Sequence, residues 1–506
     1  MFVTYRALVF VDRAAIPPNA VFFRFFLFLK LKFLPDHSFE RMSARLCAME
    51  KSAPDPEAET AYAATGDHHL FLLTVNVILA AAIHGGYLNL VELRRYDIPG
   101  AFLQCPLTPE NCPRPHYGRL PDDLPAPYCG QYVQMLRGVY GARVSNKIFD
   151  DDHTATLISM GYQQSNCDPR KFMIQCPTNP IMKVIINTHV DDGGVVLTWR
   201  AKYDETLALL NKRYPGTLDE SPMDRYLGMG FDFNHSTGSL TASMYHSVLK
   251  ILATFCTDSL REQSTPYTAD LFDPSTNDTP VDKKSYQQLV GQLIWLLKVR
   301  SDIQLAVIMA CTHNAAPTQG DLNKIIRVLA YLKGTPDLGP TYFTTDGPIL
   351  IASCDAAFAV HPDTGGSQLS ISFRVGQHSA PFHVISQVQR TKISLNPAHS
   401  EFDTYSIATE FIKFYREYCG WLGFPQEHPT PLESDCAPGL SIVTAPHFPK
   451  HSKNLLVQDR NVRAHRPGPR PVRWFCYGLE RETVRSNGLY PQKIHPTQHS
   501  LQPPVH

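Results

Sequence analysis

The sequence predicts a mixed α/β protein with at least two domains. Apolar, β-branched runs surround a turn at residues 184–197, and residues alternate around a second turn at 228–243, which indicates β-hairpins. Residues 246–334 change to helical periodicity with apolar positions on one face. Strand patterns return at 349–394 and precede a long amphipathic segment at 400–422, so a second, smaller α/β unit is expected.

Length, charge and cysteine content set broad limits on the function. The chain has 506 residues, enough for roughly three or four domains of ordinary size. Its 47 basic and 47 acidic side chains balance, so any groove for nucleic acid must be local. The 12 cysteines contain no C-x-x-C pair, which favours free thiols in a reducing compartment over a zinc site.

Both ends of the chain are predicted to differ from the folded body. Residues 21–34 are strongly apolar, but the segment is interrupted by charges and is shorter than the roughly 20 residues that a membrane helix needs. We therefore interpret residues 1–40 as an atypical leader and expect no membrane association. After residue 437 Pro and His become frequent and periodicity is lost, which predicts a poorly ordered tail.

The most informative stretch is residues 184–197, with the sequence VIINTHVDDGGVVL. Asp-Gly between apolar runs is a strong hairpin signal, and this is the simpler local explanation. Asp191 and Asp192 are also adjacent like charges, which a divalent cation would offset. Together with Asp97, at the end of a short strand, they could hold two metal ions roughly 4 Å apart. Locally, Asp97 is equally explained as a turn residue before a Pro-Gly pair.

A second set of carboxylates follows the same logic. Asp355 ends an apolar strand, Glu401 lies in the first turn of the long helical segment, and Asp435 ends another strand. Carboxylates that converge from two strand ends and a helix start suit a two-metal nuclease. Each of them alone is also explained as a cap or turn residue, so both interpretations stay open at this point.

The order of these motifs resembles the reverse transcriptase and ribonuclease H region of a copia-type LTR retrotransposon polyprotein. The segments that match the polymerase motifs are SARL at 43–46, DIPGAFL at 97–103, YG at 140–141, DP with F at 168–172, HVDD at 189–192, YLGM at 226–229, YQQLVG at 286–291 and RVLAYLKGT at 327–335. A looser match to ribonuclease H motifs includes CDA at 354–356, HSEF at 399–402, Asp435 and HSK at 451–453.

The resemblance implies an α/β (α+β) fold: a right-hand polymerase with palm, fingers and thumb, followed by a ribonuclease H-like domain. It implies that Asp97, Asp191 and Asp192 are catalytic and bind two Mg²⁺ (or Mn²⁺) ions. It also implies that Arg45 contacts the incoming triphosphate. Phe102 would be the steric gate that lies under the sugar and excludes a 2′ hydroxyl.

For the second unit the resemblance implies that Asp355, Glu401 and Asp435 are catalytic and bind metal. The implied partners are an RNA or DNA template–primer and deoxynucleoside triphosphates. The expected location is the cytoplasm, with access to the nucleus. The leading hypothesis is thus an RNA-directed DNA polymerase with an attached ribonuclease H domain.

Several departures from the family pattern keep other functions open. His189 replaces a Tyr, Val144 replaces a Gln, Ser43 replaces a Lys, and Leu456 stands where a fourth acidic nuclease ligand is expected. The alternatives are a catalytically inactive remnant or nucleic-acid-binding scaffold, and an unrelated two-metal phosphotransfer enzyme. Capsid, protease and integrase motifs are not found, so we expect a processed portion or a truncated genomic copy.

These observations divide the chain into five predicted regions. They are an atypical leader at 1–40, fingers and palm at 41–245, a helical thumb or connection at 246–340, a ribonuclease H-like domain at 341–463 and a Pro/His-rich tail at 464–506. The sequence makes no prediction of the oligomeric state.

Overall fold

Four β-sheets and a set of helices make up the described part of the chain. The computed structural model describes residues 4–33, 38–50, 65–256, 259–274, 277–362, 364–389, 394, 396–436 and 472–476. Within these ranges 20 strands and nine α-helices occur, so the predicted mixed α/β class is confirmed.

The strands are short except in two long ribbons, which are β2–β3 and β16–β17. In chain order they are β1 (Leu8–Phe10), β2 (Val21–Phe33), β3 (Phe39–Glu50), β4 (Glu92–Asp97), β5 (His116–Arg119), β6 (Tyr132–Met135), β7 (Gln163–Gln164), β8 (Lys171–Cys176), β9 (Asn179–His189), β10 (Asp192–Leu197), β11 (Leu218–Asp219), β12 (Arg225–Tyr226), β13 (Met229–Asn234), β14 (Ser239–Ser243), β15 (Thr341–Tyr342), β16 (Leu350–His361), β17 (Gly366–Val375), β18 (His383–Val388), β19 (Thr430–Ser434) and β20 (Val472–Cys476).

Several helices begin at residues whose side chains cap them. In chain order they are α1 (His68–Gly85), α2 (Ala101–Gln104), α3 (Arg143–Ser159), α4 (Arg200–Arg213), α5 (Tyr245–Phe255), α6 (Lys283–Leu296), α7 (Gln304–Thr312), α8 (Gln319–Gly334) and α9 (Pro397–Trp421). Asp67 caps α1, Thr318 and Asp321 form a capping box on α8, and Asn396 caps α9. Because Pro397 lacks an N–H, the first helical position is the one that tolerates it best.

An N-terminal sheet, in the order β1-β6-β5-β2-β3, includes the segment that we interpreted as a leader. Strand β2 pairs in parallel with β5 and antiparallel with β3, and Val21, Phe23 and Phe25 are buried in a core beneath this sheet. The boundary at residue 40 is therefore wrong. The apolar run forms a strand of this sheet, buried at its start and exposed from Phe26 to Leu31, rather than a separate leader.

The central sheet, in the order β11-β4-β10-β9-β8-β7, carries the predicted Asp-Asp hairpin. Strand β10 is paired antiparallel on both sides, with β4 and with β9. Helices α3 and α4 supply Phe149 and Leu210 to a core that also contains Val184 and Val195 of the hairpin. The hairpin is thus built into the middle of the sheet instead of projecting from the surface.

Helix α1 joins the central sheet to the C-terminal unit. By length and hydropathy it could cross a membrane, but 72% of its apolar window is buried inside this fold. Thr74 Oγ1 lies 2.6 Å from the Tyr418 hydroxyl of α9, and His69 Nδ1 lies 3.3 Å from the Phe382 carbonyl oxygen. The helix therefore serves as a core element that both units share.

Helices α5–α8 contribute buried residues to a core that also contains residues of the central sheet and of the C-terminal unit. Tyr286 of α6 is buried and donates a hydrogen bond to the Ala310 carbonyl of α7 at 3.0 Å. Nearby, β12 to β15 form a small antiparallel sheet. This agrees with the helical character predicted for residues 246–334.

The C-terminal sheet has the order β18-β17-β16-β19-β20, and α9 packs against β16 and β17. Strands β16, β17 and β18 are antiparallel, whereas β16, β19 and β20 are parallel. Strand β20 lies within the predicted tail, so the boundary at residue 463 cuts through this sheet and is wrong there. The rest of the tail lies outside the described residues. The remaining predicted boundaries stay predictions.

A first prediction concerns the close packing behind the hairpin. A Cβ on Gly193 would lie 2.1 Å from Cζ of Tyr96, whose ring is fully buried. Gly193→Ala is expected to lower the free energy of unfolding by about 1–3 kcal/mol, as over-packed cores do. Urea denaturation followed by circular dichroism measures this change.

The matched control is Gly291→Ala on the exposed face of α6, where nothing lies within 4 Å of the added Cβ. It is expected to stabilise the chain by up to about 1 kcal/mol because alanine favours the helix. Equal effects of the two substitutions would contradict the packing argument.

Candidate active site

The register of the central sheet places the first three predicted carboxylates at one end of the sheet. Asp192 at the start of β10 lies directly opposite Asp97 at the end of β4. The Ile98 N–H donates to the Asp191 carbonyl oxygen at 3.0 Å, which fixes the turn against the end of β4. Directly opposed residues of an antiparallel pair have Cβ atoms about 4.5–5.5 Å apart. Asp97 and Asp192 therefore share one end of the sheet, with Asp191 beside them.

The turn that presents these carboxylates is strained. Val190 and Asp191 are the two turn residues between the paired His189 and Asp192. Val190 has φ +58°, a conformation that β-branched residues rarely adopt. A positive φ at the first turn position is the pattern of a type II′ hairpin turn, where glycine is usual. Strain at such a site is typical of functional turns.

Two tyrosine rings occupy the space that the glycine pair leaves free. Tyr96 lies against Gly193, and Tyr226 lies 2.6 Å from where a Cβ on Gly194 would be. The Tyr226 hydroxyl donates to the carbonyl oxygen of Asn187 on β9 at 2.7 Å. These contacts stabilise the register of β10. Tyr226 of the YLGM motif therefore packs against the hairpin that carries the HVDD motif.

The carboxylates of this first cluster are not fully neutralised by the protein. Burial, followed by the charges of Asp191 and Asp192, raises the pKa of Asp97 to about 6. Burial also raises the pKa of Asp191. Arg95 is a nearby cation and donates to Asp192 Oδ1 at 2.8 Å. A divalent ion would relieve the remaining repulsion.

The two residues that are predicted to contact the nucleotide both pack against Tyr140. Arg45 of β3 lies over the Tyr140 ring, with its guanidinium carbon 5.3 Å from the ring centroid. The Phe102 ring meets the same tyrosine edge-on at 5.4 Å. The charge of Arg45 partly offsets the rise in the pKa of Asp191 that burial causes. Tyr140 is the link that sequence reasoning noted only as part of a motif.

The second cluster is built from two parallel strands and one helix. Asp355 lies on β16, and the β16–β19 register, in which Ser353 is opposite Glu433, continues towards Asp435. Glu401 lies in the second turn of α9, and its Oε1 accepts the Ala356 N–H at 3.1 Å. One ligand oxygen from each of the three carboxylates lies within 4.8 Å of the others.

The donor chemistry of both clusters fits a hard divalent cation such as Mg²⁺, which prefers carboxylate oxygens. In the second cluster Glu401 is buried, and its Oε2 meets no N–H donor among the described residues; its polar neighbour is the carboxylate of Asp355. Such an orphaned acceptor suits a metal ligand. Burial, followed by the charge of Asp355, raises the pKa of Glu401 to about 8.

The sequence departures have different structural settings. His189 is half-buried, its Nδ1 has no hydrogen-bond partner among the described residues, and burial lowers its pKa. Val144 packs against the core of the central sheet. Leu456 and residues 451–453 lie outside the described residues, so the fourth nuclease ligand stays a prediction.

Two charged residues near the first cluster were not singled out from the sequence. Arg95 precedes Asp97 by two positions on β4, so strand periodicity alone could have put it on the same face. Glu220 follows β11, and its Oε2 lies 2.9 Å from Arg95 Nη1. No local pattern indicates Glu220, because a two-residue edge strand has no measurable periodicity.

Over most of its length the chain is similar to retrotransposon polyproteins. The chain is homologous to two polyproteins of Arabidopsis thaliana, the retrovirus-related Pol polyproteins from transposons RE2 and RE1. The identities are 23% and 22% over 433 residues, or 85% of this chain. The predicted resemblance to a retrotransposon polyprotein is confirmed. The chain spans 28% of the length of these relatives.

The chain was also compared with models of protein families and with solved structures. No family model matches the chain. Among solved structures, a foamy viral protease-reverse transcriptase in complex with dsDNA is similar, with a TM-score of 0.48 and 11% identity. The similarity covers 95% of this chain and 82% of that one.

The raised pKa of Glu401 predicts a pH effect on stability. Its ordinary value is 4.5 and its folded value is about 8, so between these pH values the folded chain binds more protons than the unfolded chain. The contribution of this group is therefore fully present below about pH 4.5 and is lost as the pH rises through about 8. Urea denaturation in EDTA at pH 5 and pH 8.5 measures it.

Glu401→Gln should reduce the loss of stability between the two pH values, because the amide does not titrate. Glu410→Gln, at an exposed position of the same helix that pairs with Lys413, is the matched control. Identical pH dependence in the wild type and in Glu401→Gln would show that Glu401 does not titrate in this range.

Proposed function

We propose that the chain is an RNA-directed DNA polymerase with an attached ribonuclease H-like nuclease. The observation that carries the proposal is the register that sets Asp97 opposite Asp192, with Asp191 in the strained turn between β9 and β10. Three carboxylates from two chain segments at one sheet end are the arrangement that two-metal nucleotidyl transfer requires. Homology to Pol polyproteins supports the same reaction class.

In this proposal Asp97, Asp191 and Asp192 would hold two Mg²⁺ or Mn²⁺ ions. The ions would activate the primer 3′ hydroxyl and hold the triphosphate of the incoming nucleotide. Arg45, which lies over the Tyr140 ring, would add positive charge where the triphosphate lies. Phe102 would fill the space under the sugar, held at that position by its edge-on contact with Tyr140.

For the second unit we propose hydrolysis of the RNA strand of an RNA–DNA hybrid. Asp355, Glu401 and Asp435 would hold the metal ions that activate water and stabilise the leaving oxygen. Support comes from the mutual proximity of their oxygens and from the unpartnered Oε2 of Glu401. The proposed location is the cytoplasm, with access to the nucleus.

Paired substitutions test whether the two clusters act as two separate sites. Asp191→Asn is expected to lower primer extension on a homopolymer RNA template at least 100-fold, because a metal ligand is lost, and to leave hydrolysis of a labelled RNA–DNA hybrid unchanged. Asp355→Asn is expected to do the reverse. Both assays use Mg²⁺ and then Mn²⁺, with the exposed Asp232→Asn as the control.

The alternative is a nucleic-acid-binding scaffold, which His189 and Val144 keep open. It would be supported if the wild-type chain bound primer–template measurably but extended no primer with either metal ion. That outcome would reject the polymerase proposal.

Phe102 offers a test of sugar selection. Phe102→Val is expected to raise the incorporation of ribonucleotides relative to deoxynucleotides by at least tenfold, because the smaller side chain leaves room for a 2′ hydroxyl. Single-nucleotide extension with matched ribo- and deoxynucleotides measures the ratio. Phe172→Leu is the control, since that ring lies on β8 in the same core, whereas Phe102 contacts Tyr140 and Phe149. Unchanged selectivity in Phe102→Val would remove the proposed role.

A further inference from the structure

Arg95 lies among the carboxylates of the first cluster, and the proposed chemistry does not use it. Strand alternation puts its side chain on the same face of β4 as that of Asp97. Its Nη2 donates to Asp192 Oδ1 at 2.8 Å, and its Nη1 lies 2.9 Å from Glu220 Oε2. The Arg95 side chain is only 23% exposed. Its Nε has no hydrogen-bond partner among the described residues, so these two carboxylates are the polar partners that its guanidinium meets.

The position of Glu220 is fixed by the main chain. Strand β11 pairs with β4, with Leu218 opposite Asp97 and Asp219 opposite Tyr96. The Glu220 N–H then donates to the Arg95 carbonyl oxygen at 2.9 Å. The main chain of Glu220 is therefore held beside Arg95 by contacts that do not involve Asp192.

A divalent ion at this cluster would compete with Arg95 for the carboxylate of Asp192. A guanidinium–carboxylate hydrogen bond of this length is charge-assisted and therefore stronger than a hydrogen bond between neutral groups. A second cation bound to Asp192 would also repel Arg95. Among the described residues, the three carboxylates of the second cluster each offer an oxygen within 4.8 Å of the others. The three carboxylates of the first cluster do not meet this criterion. The first cluster thus rests in an arrangement in which Asp192 is paired with Arg95.

We propose that Arg95 is an internal counter-cation that competes with the metal ion for Asp192. When the metal ion displaces the guanidinium from Asp192, the Arg95–Asp192 ion pair would break. The Arg95–Glu220 ion pair would remain and keep the guanidinium nearby. Arg95 would in this way set the metal concentration at which the first cluster fills. It is a positioning residue rather than a catalytic one. The inference rests on the proposed function only in that the first cluster binds a divalent ion.

The test is a Mn²⁺ titration followed by electron paramagnetic resonance, which reports free Mn²⁺ independently of activity. The full chain carries Asp355→Asn to weaken the second cluster. In that background Arg95→Gln is expected to bind Mn²⁺ about three to ten times more tightly, the factor that matches the loss of one ion pair of ordinary strength. Arg95→Met, which keeps the apolar stem and removes the charge, is the second variant if Arg95→Gln does not fold.

The matched control is Arg94→Gln. Arg94 is the neighbouring residue on β4, and it pairs with Glu92 at 2.6 Å and with Asp219 at 3.7 Å. Its removal is expected to change the Mn²⁺ affinity by less than about twofold, because its ion pairs do not involve Asp192. Adding Asp192→Asn to Arg95→Gln is expected to cancel the gain in affinity. A gain that persists without the Asp192 carboxylate would overturn the proposed competition.

Glu220→Gln tests the second half of the proposal. With Arg95 present it is expected to weaken Mn²⁺ binding, because the guanidinium then has Asp192 as its remaining partner. In the Arg95→Gln background the same change is expected to have a smaller effect. Equal weakening in both backgrounds would overturn the role of Glu220.

Two outcomes separate failure of this inference from failure of the proposed function. If Asp191→Asn removes a Mn²⁺ site but Arg95→Gln leaves its affinity unchanged or weaker, the competition is rejected and the metal site stands. If no Mn²⁺ site depends on Asp191, the proposed polymerase site itself is rejected.

Discussion

The antiparallel register of β10 between β4 and β9 is the constraint on which the candidate polymerase site depends. Because strand side chains alternate between faces, a slip of one residue would move Asp192 to the opposite face from Asp97. The register is held by packing as well as by hydrogen bonds. Tyrosine rings fill the space beside Gly193 and Gly194, and any side chain at either position would collide with one of them. The glycine pair that follows the two aspartates therefore helps to align Asp192 with Asp97.

The two carboxylate clusters solve the same electrostatic problem in different ways. In both, burial and like charge make ionisation unfavourable, with pKa values of about 6 for Asp97 and about 8 for Glu401. The first cluster has a guanidinium against one of its carboxylates. In the second, Glu401 accepts a main-chain N–H, and the nearby Arg374 is bonded to Glu433 instead. In the first cluster a guanidinium would therefore compete with a metal ion for Asp192. In the second cluster a proton would compete with it for Glu401.

Several of the motif residues that carry the resemblance serve the fold rather than the chemistry. Asp168, from the DP motif, accepts the Asp67 N–H at 3.0 Å and thereby ties the start of α1 to the central sheet. Tyr226, from the YLGM motif, anchors β9 through Asn187. Helix α1 in turn contacts α9, the helix that carries Glu401. The ordered motifs thus describe one packed framework that supports both clusters, which explains why their order is more informative than any single motif.

The sequence by itself determined the elements whose signals are local. The helical middle region and the long helix α9 follow from periodicity within a few residues. The hairpin follows from its two apolar runs, although its turn is Val190–Asp191 rather than the Asp-Gly pair. Only the tertiary structure decided that residues 21–33 belong to a sheet, that residues 472–476 add a strand to the second unit, and that Glu220 lies beside Arg95. In each case the strand is defined by a partner distant in the chain. Such pairing leaves no periodic trace in a short segment, and in β2 apolar residues occupy both faces, so the sequence does not show which face is buried.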